Sequence, residues 1–158
     1  MAEIIPIDNL KHKIEFLRSK NKDIKIVATN GCFDILHVGH IRSLQKAKVF
    51  GNILVVGLNS DLSIKKIKGD NRPIFSEGDR AEILASLSCI DIVSIFNDEN
   101  ALNLLEIVKP NIYIKGSEYN LEELPEAKFV KSYGGKTIEI QMIVGKSTTN
   151  IIERIKKS

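Results

Sequence analysis

The sequence predicts an α/β domain built on a doubly wound parallel sheet with helices on both faces. Three observations carry that prediction. Short Ile/Val-rich runs alternate with amphipathic stretches along the whole chain, the pattern of right-handed βαβ units. The 158 residues are enough to bury one core and fall in the usual range for a single domain. A composition of 43% hydrophobic and 27% charged residues excludes a disordered tail, a coiled coil and a collagen-like repeat.

Each element has its own justification. The apolar runs near 24–29, 53–58, 90–96, 111–115 and 137–143 have the length and β-branched content of buried strands. Helical periodicity falls near 39–50, 77–88, 100–109, 122–133 and 148–157. Before these, Asp8 reads as the cap of a helix carrying Leu10, Ile14 and Leu17 on one face. Gly51, Pro110 and Gly134-Gly135 supply stop signals, and Ser76 an N-cap. No repeat, low-complexity segment or linker interrupts the pattern. A Rossmann-like sheet of this kind binds ligands beyond the carboxyl ends of its strands, where strand order reverses.

Charge narrows the partners. The net charge is 23 − 20 = +3, from 18 Lys and 5 Arg spread along the chain, with three Tyr and no Trp. A nucleic-acid binder has a stronger basic bias and interleaved aromatics, so no nucleic-acid partner is expected. Lys65-Lys66-Ile67-Lys68 is the one dense cluster, either a solvated face or a contact for a small polyanion such as a nucleotide. No apolar run reaches the ~18–20 residues that cross a bilayer, and MAEIIPIDNLKHK lacks the order of a signal peptide. Two cysteines, Cys32 and Cys89, make no disulfide framework. A cytoplasmic location without a membrane partner is expected.

The loop after the first long strand holds the densest chemistry. It reads Thr29-Asn30-Gly31-Cys32-Phe33-Asp34-Ile35-Leu36-His37-Val38-Gly39-His40, and a helix follows. Gly31 and Gly39 allow close backbone approach, and the free N–H groups of the helix start face the sheet edge. His37 and His40 share one side of that first turn, which makes a phosphate pocket. Zinc is the competing use of the pair, with Cys32 as a third ligand. The remaining His12 and Cys89 lie elsewhere in the sequence, which favours phosphate. Capping and packing histidines are the bland alternative.

Gly31 to His40 resembles the G-x-F-D-x-x-H-x-G-H signature of the cytidylyltransferase-like nucleotidyltransferases. Gly145-Lys146-Ser147-Thr148-Thr149-Asn150-Ile151 resembles their second signature, G-x-S-T-T-x-I. Within that superfamily, Asn59-Ser60-Asp61, Lys68-Gly69-Asp70-Asn71-Arg72-Pro73 and Ile114-Lys115-Gly116 are similar to the heptose 1-phosphate adenylyltransferase branch. That activity occurs as a free enzyme or as one domain of a bifunctional kinase–adenylyltransferase. The likeness runs over residues 1–158 as one nucleotidyltransferase domain, with 1–22 as an N-terminal helical extension and no kinase portion. Two arginines that mark the glycerol 3-phosphate branch are replaced by Ser88 and Met142.

The resemblance implies transfer of AMP from ATP to a sugar 1-phosphate, with release of pyrophosphate and formation of ADP-heptose for lipopolysaccharide. A phosphate monoester is already largely dianionic at neutral pH, so the acceptor needs no general base. The enzyme must supply positioning and positive charge. His37 and His40 are therefore expected to donate to the α-phosphate, with Lys68 on the triphosphate. Asn30, Gly31, Cys32, Phe33 and Gly39 would cradle the same phosphate, and Asp34 would fix the loop. Backbone groups of Lys115, Gly116 and Ser117 would read the base, and Ser147, Thr148 and Thr149 would contact the nucleotide besides capping the last helix. Lys65, Lys66, Arg72 and Arg80 are the candidates for the acceptor or its phosphate, and Arg80 reads equally as a surface residue. Mg²⁺ would arrive through the nucleotide phosphates, with no dedicated protein metal site, and the resemblance implies a homodimer. The alternatives are a CTP-dependent transferase acting on glycerol 3-phosphate or another phosphoalcohol, an FMN adenylyltransferase, and a nucleotide-sensing module without turnover.

Overall fold

A computed structural model describes residues 1–141, 145 and 147–158; Met142 and Lys146 lie outside the described residues. Among the described residues, six strands form one all-parallel sheet: β1 (Glu3–Ile4), β2 (Ile26–Gly31), β3 (Ile53–Asn59), β4 (Ile92–Phe96), β5 (Ile112–Gly116) and β6 (Lys136–Ile140). Seven helices among the same residues accompany them: α1 (Ile7–Lys20), α2 (Val38–Lys48), α3 (Asp61–Lys68), α4 (Glu77–Ala85), α5 (Leu102–Val108), α6 (Pro125–Ser132) and α7 (Thr148–Lys157). The strand order is β1-β4-β3-β2-β5-β6. From β2 the chain winds outward through β3 to β4, then returns to add β5 and β6 on the other side. The reversal between β2 and β5 is the switch point at which such sheets take ligands.

The period of two along each strand divides the core. Ile26, Ala28, Val55, Ile92 and Tyr113 pack with Leu10 and Ile14 of α1, Leu104, Leu105 and Val108 of α5, and Val130 of α6. Val27, Leu54, Val56, Val93 and Ile114 pack against Leu44 and Ala47 of α2 and Ala81, Leu84 and Ala85 of α4. One face is thus the α1–α5–α6 side and the other the α2–α4 side. Both faces are covered, which is why the strands are apolar throughout.

Most elements fall where periodicity puts them, and the exceptions have local causes. Residues 1–22 are woven into the domain: β1 pairs with β4, and the carbonyl of Ile5 accepts from the buried Ser94 hydroxyl at 2.8 Å. Two residues are too few to show a strand period. The N-cap of α1 is Pro6, which makes no side-chain cap, and Asp8 stands in the first turn, where its carboxylate meets the positive end of the helix. Helix α3 is absent from the periodicity because eight residues make barely two turns; Ser60 caps it through the Ser63 N–H. Helix α4 ends at Ala85, before the expected 88. No helix among the described residues is long and apolar enough to cross a membrane.

Candidate active site

A cavity of about 680 Å³ opens at the carboxyl edge of the sheet, lined by the ends of β2 and β5 and by the starts of α2 and α7. That volume suits a nucleotide with part of a second substrate. Its two long walls are built differently.

On the α2 side the histidines are fixed by backbone. His37 is the N-cap of α2, and its Nδ1 accepts from the Gly39 N–H at 3.1 Å. His40 Nδ1 accepts from the His37 N–H at 3.4 Å, closing a capping box. Both Nδ1 atoms accept, which leaves Nε2 of each ring as the N–H donor. The rings stack with centroids 3.8 Å apart, and both line the cavity with Lys68. Burial, then the neighbouring charges of His37 and Lys68, pushes His40 down to about 4. His40 is therefore a neutral donor at physiological pH.

The loop that carries the pair is clamped from three elements. Phe33 and Ile35 sit at positive φ, 47° and 50°, a conformation non-glycine residues hold only when neighbours over-determine it. A Cβ at Gly31 would come within 3.1 Å of the Phe33 ring, so glycine there lets the ring fold back. Asp34, 1% exposed, accepts from the Ile74 and Phe75 N–H groups and from Arg72 Nε at 2.8, 3.1 and 2.9 Å. Burial raises its pKa, but those three donors outweigh burial and hold the carboxyl below its ordinary value. The Asp34 carbonyl accepts from Thr148 Oγ1 at 2.6 Å, tying the loop to α7. Arg80 closes the clamp. Its guanidinium donates to the carbonyls of Cys32, Asn59 and Phe75 at 2.6, 2.9 and 3.0 Å and to Asp61 Oδ1 at 2.7 Å.

The α5–α6 side is assembled from distant segments. Tyr113 Oη donates to Asn30 Oδ1 at 2.6 Å, and Lys115 Nζ reaches the same oxygen at 3.4 Å. The Lys115 ammonium lies 4.5 Å from the centre of the Tyr119 ring. Burial lowers its pKa, against the raising charges of Glu126, Glu118 and Cys32. Glu126, 5% exposed, accepts from the Ala101 N–H at 3.3 Å and lines the same wall.

Of the residues expected from sequence, Asn30, Gly31, Cys32, Phe33, His37, His40, Lys68, Lys115, Gly116, Ser147, Thr148 and Thr149 come together around the cavity. Gly39 is buried inside the first turn of α2 and off the lining. The four acceptor candidates also lie off it. Lys65 and Lys66 are exposed on α3. Arg72 is turned to Asp34, with a buried Nη2 that has no partner among the described residues. Arg80 is 1% exposed and held by four protein acceptors, so it is neither a free phosphate ligand nor a surface residue. The expected base-reading backbone is partly occupied as well: the Ser117 N–H donates to the Ile140 carbonyl at 3.2 Å. Ser147 caps α7 through the Asn150 N–H, and Ser88 is exposed and off the cavity.

Sequence reasoning missed Tyr113, Tyr119, Glu126 and the structural use of Arg80. One signal was available. Asn30, Tyr113 and Lys115 are polar groups at the carboxyl ends of adjacent strands with the parity of one sheet face.

Comparison with known proteins places the domain. A family model described as cytidylyltransferase-like matches residues 28–155. The chain is 48% identical over 154 residues to the bifunctional protein HldE of Geobacter metallireducens, covering 98% of this chain and 31% of that protein. To the bifunctional protein HldE of Helicobacter pylori it is 47% identical, covering 99% and 32%. The chain thus spans about a third of the length of these curated relatives. Among solved structures, the lipopolysaccharide core biosynthesis protein of Thermoplasma volcanium aligns with TM-score 0.61 and 28% identity, covering 76% of this chain and 97% of that one. The pantoate-β-alanine ligase of Francisella tularensis shares the fold at TM-score 0.67 and 18% identity, covering 99% and 77%. The chain belongs to the cytidylyltransferase-like family.

Proposed function

We propose that the protein is an adenylyltransferase that moves AMP from ATP to D-glycero-β-D-manno-heptose 1-phosphate, releasing pyrophosphate and giving ADP-heptose. The observation that carries the reading is the histidine pair. Two stacked imidazoles, each with Nδ1 occupied by a backbone N–H, present Nε2–H donors beside Lys68 at the switch point. Such fixed donors act where charge develops on a phosphoryl group and need no reorganisation as it does. A nucleotide sensor without turnover has no use for both. The choice of acceptor is supported by identity near one half to the HldE proteins over nearly the whole of this chain, and by the lipopolysaccharide relative.

In this mechanism the clamped loop and the start of α2 hold the α-phosphate, and His37 and His40 donate to its oxygens. Lys68 meets the departing pyrophosphate. The acceptor phosphate attacks in line as a dianion, so no carboxylate base is required. Mg²⁺ belongs to the reading as a partner of the triphosphate, whose charge it neutralises when bound. Asp34, the carboxylate of the loop, has both oxygens occupied by protein donors, so the loop offers no carboxylate cradle for a metal. A cytoplasmic location, as the apolar runs and cysteines suggest, and a homodimer, on the strength of the resemblance, complete the reading.

A pyrophosphate-release screen of four nucleoside triphosphates against a panel of phosphorylated acceptors tests it. ATP with heptose 1-phosphate is expected to lead. CTP with glycerol 3-phosphate is expected at least ~100-fold lower in kcat/KM, because the resemblance is to the heptose branch and the two arginines that mark the glycerol 3-phosphate branch are absent here. Comparable turnover of the CTP pair refutes the heptose assignment.

A further inference from the structure

With Lys65, Lys66, Arg72 and Arg80 all off the cavity lining, the acceptor has no cation among those expected for it. The geometry points to a replacement: we infer that the phosphorylated acceptor binds on the α5–α6 wall, with its phosphate beside Lys115 and its sugar hydroxyls on Glu126. The inference rests on the sugar-phosphate reading above and adds which wall and which residues select the acceptor.

In-line displacement comes first. The nucleophile and the leaving pyrophosphate must stand on opposite sides of the α-phosphate. The paired histidines stand at the start of α2, and the charge of Lys68 acts on His40, so the pyrophosphate belongs on that side. The acceptor must then approach past Asn30, on the α5–α6 side. Lys115 is the cation of the cavity lining on that wall among the described residues. It is 9% exposed, and its one hydrogen-bond acceptor there is the neutral Asn30 amide at 3.4 Å. Glu126 and Glu118 bias it toward the charged form against burial, and an ammonium has three donors, of which the Asn30 amide takes one at long range. The remaining donors suit a phosphate oxygen.

The rest of the wall suits a polyol. Glu99, Glu118 and Glu126 line the cavity, and carboxylates accept hydrogen bonds from sugar hydroxyls. Glu126 is the buried member. Its one hydrogen bond among the described residues is the long one from Ala101, which leaves acceptor capacity toward the cavity. Asn100 also lines the cavity, with both donor and acceptor groups.

Two variants test the inference. Glu126→Gln removes the charge but keeps an oxygen for the Ala101 N–H; Lys115→Met keeps the buried stem. Circular-dichroism melts establish that both fold. For each, the expected result is a rise in acceptor KM of about 10-fold or more, because a charged hydrogen-bond partner is lost, with the equilibrium affinity for ATP alone within twofold of the unaltered chain. The ATP arm needs no acceptor, so it stands whichever acceptor the screen selects. Loss of ATP affinity matching the loss for acceptor overturns the inference, since the wall would then hold nucleotide. Unchanged acceptor KM in both folded variants overturns it too. If the screen selects another phosphorylated sugar, the heptose reading fails while the same KM split on that sugar sustains the wall assignment.

Discussion

The two walls of one cavity present the same kinds of groups but are built by opposite means. On the α2 side, the bonds that fix His37 and His40 join residues two and three apart. On the α5–α6 side, Tyr113 and Lys115 meet Asn30 across 83 and 85 residues, and Glu126 meets Ala101 across 25. The first wall is a single turn of chain whose chemistry is contiguous. The second exists only once the strands are aligned. The difference teaches where a site can be read before folding and where it cannot.

The sharpest way to break the comparison is to attack the clamp rather than either wall. Arg80→Met should unfold the protein more readily by about 3–5 kcal/mol, because three carbonyls and Asp61 lose a buried charged donor. Denaturant melts measure it. A change below ~1 kcal/mol would mean that water replaces the guanidinium and that the loop holds its left-handed residues without it.

Next in size is the histidine wall itself. His40→Ala should lower kcat by about 10²–10³ while ATP affinity changes little, since the donor acts on charge that appears only in the transition state. Steady-state kinetics beside a nucleotide-binding titration separates the two. Near-normal kcat would leave the pair as a helix cap and nothing more.

These contrasts mark what was legible in the sequence. Sheet, helices and the His37/His40 turn could be read because period and motif are local properties. The uses of Arg80 and Arg72 could not. An arginine on an amphipathic helix reads as a phosphate ligand or a surface residue, and only the loops after β2 and β3 closing on Arg80 turn it into a buried clamp. Glu126 was hidden for a related reason: a glutamate early in a helix is ordinarily a favourable surface charge at the positive end. Helix α6 instead lays this one against the start of α5. The Lys65-Lys66-Lys68 run was legible as a cluster, but not the division that puts Lys68 on the cavity and leaves Lys65 and Lys66 off it.

That cluster gives a smaller effect with a built-in control. Lys68 lines the cavity, whereas Lys66, on the same helix, is exposed outside it. Lys68→Ala should raise the KM for ATP by about 10-fold through loss of one charge-assisted phosphate contact. Lys66→Ala should stay within twofold. Equal effects would mean that α3 acts as a diffuse positive field rather than through one side chain.

The smallest effect comes from protons, and it bears on why the contiguous wall works at neutral pH. His40 titrates at about 4, lowered by burial first and then by His37 and Lys68. An unfolded histidine titrates near 6.5. Between those values the unfolded chain binds the extra proton, so stability rises with pH through that window and falls as the solution is acidified toward pH 4. Above about 6.5 the residue contributes no pH dependence. His40→Gln is the matched control, because glutamine at the third helical position can still reach back to the His37 N–H in a capping box. The expected outcome is a smaller drop in melting temperature between pH 7 and pH 5 for His40→Gln than for the unaltered chain. The kcat profile of the unaltered chain should in turn show no inflection near 6.5 that the substitution removes. An inflection there that disappears with His40 would mean that the imidazolium, not the neutral Nε2–H donor, meets the phosphate.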